Sequence, residues 1–177
     1  MALSWTVVPA PAPVGALTLG VTGPGLALVV FGDHPESARR AADRLGEPLV
    51  QDAATNDAAR ELREYLAGDR RVFDVPLDWS LTAGSQRRVL TALFETVGYG
   101  ATVTYGELAA RSGSGAGHTA ARGVGAIMGS NPLPVVVPCH RVLAADGLGG
   151  FGGGRATKEW LLALEGVLTP ALDFGPG

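Results

Sequence analysis

The sequence predicts an α/β (α+β) N-terminal domain built on a small sheet, followed by a mainly helical C-terminal domain with a helix-turn-helix. Three observations predict this. Residues 15–31 form two apolar runs around Thr22-Gly23-Pro24-Gly25, the first alternating through Leu17, Leu19 and Val21, as a hairpin requires. Residues 35–46 and 56–67 then read as helices, the second repeating Ala59, Leu62, Tyr65 and Leu66 at helical spacing. Beyond residue 80, helical stretches are separated by glycine-bearing breaks. The expected division is residues 1–80 as the N-terminal domain, 81–168 as the C-terminal domain and 169–177 as a disordered Pro/Gly-containing tail.

Composition bounds the alternatives. The 177 residues are 46% hydrophobic, with mean hydropathy +0.21, which is a globular balance. No apolar run reaches the ~18 residues that span a bilayer. Pro9, Pro11 and Pro13, with no basic start, do not make a secretory signal. One cysteine excludes an internal disulfide and a multi-thiolate zinc site, and a functional thiol suits the cytoplasm. Net charge is −3, unevenly spread: residues 1–81 carry 7 Arg against 11 Asp and Glu, and residues 82–177 carry 7 Arg and Lys against 6. Charge therefore permits nucleic-acid binding without indicating it.

In chain order, Gly68 is placed to end the second helix, and Arg71 to Leu77 alternates like a strand. His34 falls in a polar turn and reads as solvated; no catalytic constellation is evident before residue 80. Gln86 to Val97 is the next helix, with Val89, Leu90, Leu93 and Phe94 on one face. Thr104-Tyr105-Gly106-Glu107 is a capping box that starts a short helix to Arg111. After a 112–117 loop, a second helix runs from about His118 to Gly129 with Ala121, Val124, Gly125, Ile127 and Met128 on its apolar and small face. Six of the eight residues from Gly147 to Gly154 are glycine, an entropic cost that a close backbone approach to a flat ligand would explain.

The chemistry concentrates in Val135-Val136-Val137-Pro138-Cys139-His140-Arg141-Val142. Three β-branched residues predict a short buried strand, and Pro138 stiffens the chain before the thiol. A lone cysteine is more often a buried structural residue. A titratable base directly beside it is how a nucleophile is presented. Glu165, in the last turn of its helix before Gly166, sits where the helix dipole disfavours a carboxylate.

Pro-Cys-His-Arg-Val resembles the acceptor motif of the O6-alkylguanine-DNA alkyltransferases (methylated-DNA–protein-cysteine methyltransferases). Asn131-Pro132 matches that family's hinge, and Lys158 to Gly166 its closing helix, so the resemblance spans about residues 60 to 166. It implies a winged-helix-like C-terminal domain and irreversible, single-turnover transfer of an alkyl group from O6-alkylguanine in DNA to Cys139. O4-alkylthymine is a further candidate substrate. Glu165, His140 and a water would form a relay that takes the Cys139 proton, and Tyr105 would donate to the departing base. Arg122 would fill the gap left by a flipped base, with Ala121, Gly123, Thr104 and Tyr105 beside the DNA minor groove. Asn131 would brace the turn, while Cys139 and Val142 carbonyls, Phe151 and Gly152 would hold the guanine.

The resemblance also implies no cofactor or metal, and a monomer that binds double-stranded DNA and no membrane. The chain departs from the family in three places. Ser85 stands where an aromatic residue is usual, and the 112–117 loop is longer, so His118 is given no role. Phe151-Gly152 replaces Tyr-Ser, which predicts a roomier, less polar pocket. Two rival readings are a non-catalytic reader of alkylated DNA, whose known representatives lack the cysteine, and a Cys-His-Glu thiol hydrolase, which leaves Arg122 unexplained.

Overall fold

A computed structural model describes residues 1–51 and 54–168; the 169–177 tail, expected to be disordered, lies outside the described residues. Strands β1 (Leu3–Pro9), β2 (Ala16–Val21), β3 (Leu26–Phe31) and β4 (Leu49–Gln51) form one sheet in the order β3-β2-β1-β4. The first three are antiparallel and β4 is parallel to β1. The hairpin and the helices α1 (Pro35–Leu45) and α2 (Asn56–Leu66) stand where the sequence predicts them. Strands β1 and β4 were not anticipated. Gly68, with φ +84°, ends α2 one residue past its cap, and its N–H donates to Tyr65 O.

Alternation sorts the two faces of the sheet. Leu3 and Leu28 pack with Ala38, Ala41 and Ala42 of α1. Val8, Leu17, Leu19 and Val29 pack with Leu62 and Tyr65 of α2. That second cluster does not stop at the sheet. It continues through Leu90, Leu93, Leu108, Val137 and Leu161, so one apolar core joins the sheet to the helices.

The helical part comprises α3 (Gly84–Thr96), α4 (Tyr105–Arg111), α5 (His118–Gly129) and α6 (Arg155–Leu164). Two-residue strands β5 (Val103–Thr104) and β6 (Val142–Leu143) pair in parallel beside them. On α3, Val89, Leu90 and Leu93 are buried as expected. Phe94 is not: it is 39% exposed at the edge of that face, its ring edge-on to Trp79 at 6.0 Å. Helices α4 and α5 pack on each other and on α3. The α4 capping box forms, with Thr104 N–H donating to Glu107 Oε1 at 2.8 Å and Glu107 N–H to Thr104 Oγ1 at 3.1 Å. Along α5 only Val124 is buried. No described helix is long and apolar enough to cross a membrane.

Two expected strands are absent, for the same reason. Residues 71–77 alternate but form no strand; they join the sheet only at a single bridge from Leu77 to Leu26. Their backbone is claimed by a side chain, because buried Glu61 accepts from Asp74 N–H at 2.8 Å and Val75 N–H at 3.0 Å. Residues 135–137 are a buried turn, with Val135 at φ +75°. Here Asn131 supplies the partners: its Nδ2 donates to Val137 O at 2.9 Å, and its Oδ1 accepts from Leu133 N–H at 2.9 Å. A β-branched residue at positive φ is strained, so this turn persists only because the surrounding bonds over-determine it.

Glu61→Leu should therefore unfold more easily, by about 1–3 kcal/mol, because two backbone donors lose their acceptor. Urea denaturation measures it; an unchanged midpoint would mean that water satisfies those donors equally well.

Candidate active site

The turn over residues 131–138 delivers Cys139 onto a single 3-10 turn, Cys139–Arg141. Cys139 N–H donates to Val137 O at 2.8 Å and Arg141 N–H to Pro138 O at 2.9 Å, which fixes the direction of all three side chains. Cys139 is buried, lying against two adjoining cavities. The smaller, about 180 Å³, runs between Tyr105, Gly125 and Met128 on one side and Gly150, Phe151 and Gly152 on the other. The larger, about 270 Å³, reaches under β3 to Phe31, Pro132 and Pro134.

The glycine-rich loop lies close against its neighbours where it matters. A Cβ on Gly149, at φ +75°, would sit 2.7 Å from the Tyr105 hydroxyl. A Cβ on Gly153 would meet Phe151 and Phe31, each 2.9 Å away. Those two rings meet edge to face at 5.5 Å.

Behind the thiol, His140 is fully enclosed at 0% exposure and its Nε2 lies 2.8 Å from Glu165 Oε2. Glu165 caps the C-terminal end of α6, as the misplaced charge in the sequence indicates, and it is buried. Arg141 grips it with two bonds of 2.8 Å, Nε to Oε1 and Nη2 to Oε2, while its Nη1 donates to Val97 O. Gly100 N–H reaches Oε1 at 3.3 Å. Tyr65 OH donates to Oε2 at 2.5 Å. Burial alone would raise the Glu165 carboxyl, but the hydrogen bonds and charges of His140 and Arg141 outweigh it and hold the group well below the usual carboxylate range.

With Nε2–H given to Glu165, a neutral His140 keeps Nδ1 as its acceptor. That atom is buried and has no partner among the described residues. Burial lowers His140, with the Glu165 carboxylate opposing, and so favours the neutral ring. Burial pushes the Cys139 thiol up to about 11, against the opposing influence of Asn131 and Lys158. The pair is thus a protonated thiol and a neutral base at neutral pH.

Three further residues of the site, Arg141, Tyr65 and Lys158, carry no chemical signal in the sequence as strong as that of the thiol. Lys158, on the closing helix, is buried at 0% exposure. Its ammonium donates to Val142 O at 2.7 Å, Leu148 O at 2.5 Å and Gly150 O at 3.2 Å. Burial lowers it to about 8, against the pull of the Cys139 thiolate. One signal was available: a sole lysine on the apolar face of a helix.

The other expected site residues divide. Thr104, Tyr105, Ala121 and Arg122 line one cleft of about 880 Å³ between α4 and α5, with His118 and Asp146 at its edge. Gly123 does not face it; it borders a separate depression beside Arg88 and Ser114. Asn131, Phe151 and Gly152 line the cavities at Cys139. Val142 lines neither cavity, and its carbonyl is taken by Lys158.

Glu165→Gln should lower stability at neutral pH by about 3–5 kcal/mol, because Arg141 is left as a buried charge without its partner. The native carboxylate is depressed, so its contribution is complete above the unfolded value of about 4.5 and is lost as pH falls further. The variant should accordingly lose less stability than wild type below that pH. Urea melts across the acid range test both statements; parallel curves would mean that Glu165 is not held as a charge.

The comparisons with known proteins accord with this geometry. Residues 8–79 match the family description "6-O-methylguanine DNA methyltransferase, ribonuclease-like domain", and residues 84–167 match the DNA binding domain of the same name. A methylated-DNA–protein-cysteine methyltransferase of Mycolicibacterium paratuberculosis is 41% identical over 167 residues, 90% of this chain and 91% of that relative. The mouse protein of that name is 52% identical over 85 residues, 47% of this chain and 39% of the relative. The crystal structure of Mycobacterium tuberculosis OGT in complex with DNA superposes with a TM-score of 0.73 at 35% identity, covering 93% of this chain and 92% of the other. The O6-methylguanine-DNA methyltransferase of the archaeon Pyrococcus kodakaraensis gives 0.70 at 28% identity, over 93% and 99% of the chains. With both family descriptions matched over most of its length, the chain belongs to the methylated-DNA–protein-cysteine methyltransferase family.

Proposed function

We propose that the protein repairs DNA by transferring the alkyl group of O6-alkylguanine, irreversibly and once per molecule, to Cys139. The observation that carries this reading is the position of its one thiol. Cys139 lies against a cavity between α5 and the glycine-rich loop, with an enclosed His140–Glu165 pair behind it.

In this reading the thiol proton passes through water to Nδ1 of His140, and Glu165 stabilises the resulting imidazolium. Holding a free thiolate at pH 7 against a thiol at about 11 costs about 5 kcal/mol, so sulfur loses its proton as it attacks rather than before. A new S–C bond forms, the C–O6 bond breaks, and the electron pair leaves on guanine. Tyr105 donates a proton to the departing base and is reprotonated. Net, the thiol hydrogen ends on guanine and the alkyl group on sulfur. The thioether has no leaving group, which makes the transfer single-turnover.

The base must leave the duplex to reach this cavity. Exposed Arg122 on α5, flanked by small residues and a wide cleft, supports a reading in which α4 and α5 act as a helix-turn-helix, α5 enters the minor groove and Arg122 fills the vacated place. We assign the division at residue 80, action as a monomer and the reducing cytoplasm to the same proposal, the last because a nucleophilic thiol must stay reduced. The non-catalytic reader is disfavoured by the acceptor thiol itself.

Incubation with O6-methylguanine DNA should add one methylene to the intact mass permanently, and Cys139→Ser should bind that DNA without gaining mass. Binding by wild type with no mass gain would make the protein a reader.

The pocket walls bear on substrate size. Phe151 packs on Phe31, and the larger cavity extends past both. A lost hydrogen bond to the guanine costs about 0.5–1.5 kcal/mol. An edge-to-face contact between a benzyl ring and Phe151 returns a similar amount, roughly 0.5–1.5 kcal/mol. Methyl lesions suffer this loss while benzyl lesions are spared. The benzyl-to-methyl rate ratio should therefore fall in a Phe151→Tyr/Gly152→Ser double variant; an unchanged or higher ratio refutes this role for the loop.

A further inference from the structure

Glu165 receives more donors than a carboxylate accommodates. Its two oxygens offer about four lone-pair sites. Oε1 accepts from Arg141 Nε and Gly100 N–H. Oε2 is crowded, with His140 Nε2 and Arg141 Nη2 at 2.8 Å and Tyr65 OH at 2.5 Å. Tyr65 OH also lies 3.5 Å from His140 Nε2, so hydroxyl and imidazole stand side by side on one oxygen. Three donors compete there for two lone pairs.

Tyr65 is fully buried and belongs to α2, in the half of the chain where the sequence shows no site. Its ring is held against Phe73 at 5.3 Å and Tyr99 at 6.2 Å, so the hydroxyl has one place to go. We propose that Tyr65 is a positioning residue for alkyl transfer: its hydroxyl occupies one side of Glu165 Oε2 and limits how strongly that oxygen draws the proton of His140. Arg141 fixes where the carboxylate sits, and Tyr65 sets how much of its charge remains for the imidazole. The benefit is a base that stays neutral, and so ready, while Cys139 is unreacted. The proposal rests on the reading of His140 as the proton acceptor.

The titratable and charged groups around this cluster come from four elements. Cys139, His140 and Arg141 stand on the turn, Tyr65 on α2, Tyr99 on the segment after α3, and Lys158 and Glu165 on α6. Burial and the adjacent Glu165 carboxylate raise the Tyr65 hydroxyl far above its ordinary value, so it remains a donor at every working pH. The Lys158 and Arg141 charges oppose protonation of His140 and are unaffected by removing a hydroxyl.

Tyr65→Phe removes one oxygen and leaves the ring in place. Oε2 then gives more of its charge to His140, and the imidazolium becomes easier to form. The acid limb of transfer from free-base O6-benzylguanine should move to higher pH by about half to one unit. Rates within that limb should fall by about three- to tenfold, with little change at alkaline pH. Histidine ring NMR titration should show the same upward shift for His140, and this readout does not depend on transfer. Phe73→Leu is the control, since it loosens the ring's packing while keeping the hydroxyl; it should lower stability without moving the limb. An unmoved or downward-shifted limb in folded Tyr65→Phe overturns the proposal, and so does an equal shift in Phe73→Leu. Absence of transfer by the wild-type protein would instead overturn the proposed function, leaving the NMR titration to decide the role of Tyr65.

Discussion

A single buried carboxylate organises this molecule. Removing Glu165 from water at the C-terminal end of a helix is doubly unfavourable, through desolvation and through the helix dipole. The compensation comes from parts of the chain far apart in sequence. Tyr65 approaches from α2, Gly100 from the segment after α3, and His140 and Arg141 from the turn carrying the thiol. Tyr99 adds a bond from its hydroxyl to Leu164 O at 3.2 Å, one residue before the carboxylate. These donors tie three other segments to the same point. The backbone near Cys139 is therefore fixed by electrostatics at Glu165 as much as by the apolar core. That is the rigidity a nucleophile needs when it must approach one carbon in line.

The opposite face has the reverse character. Helix α5 buries only Val124 and carries Arg122 into solvent beside a broad cleft. The electrostatics there are modest: Asp146 stands at the edge of the same cleft, and the second half of the sequence is only slightly basic. Phosphate attraction therefore supplies limited affinity and a shallow dependence on salt. In the proposed reaction, much of the binding energy comes from the extruded base entering the cavity and from Arg122 in its place. That weighting favours bases that leave the stack easily.

Much of this arrangement was legible in the sequence, though unevenly. The hairpin, α1 to α5 and the capping box follow from local patterns, and the fold class with them, while α6 follows from the resemblance of Lys158 to Gly166 to the family's closing helix. The thiol, its histidine and Glu165 were legible because their residue types are rare or misplaced where they stand. Tyr65 was not, since on α2 it is one more apolar residue at helical spacing, and its partner lies 100 positions away. Arg141 was read as part of a motif and not as the second hand on Glu165. The two failed strands share one cause. Alternation in 71–77 and β-branching in 135–137 describe side chains, whereas a strand is decided by where the backbone polar groups go. Glu61 takes two N–H groups of the first segment, and Asn131 takes the Val137 carbonyl of the second. Strand β1 was missed for the opposite reason: three prolines from residue 9 onward obscured a run that both β2 and β4 pair with.

Lys158 joins the two sides. A loop with six glycines in eight residues has a large entropy to lose, and few side chains with which to offset it. The carbonyls of Leu148 and Gly150 within it, and of Val142 just before it, converge on one ammonium. Charge-assisted bonds are worth about twice ordinary ones, so a single cation can order a segment whose one large side chain is Phe151. The same charge lies close enough to Cys139 to favour the thiolate. Order in the loop and ease of ionising the sulfur are therefore two consequences of one buried lysine. In the proposed reaction, the wall that holds the base and the group that assists the nucleophile are thus fixed by the same cation.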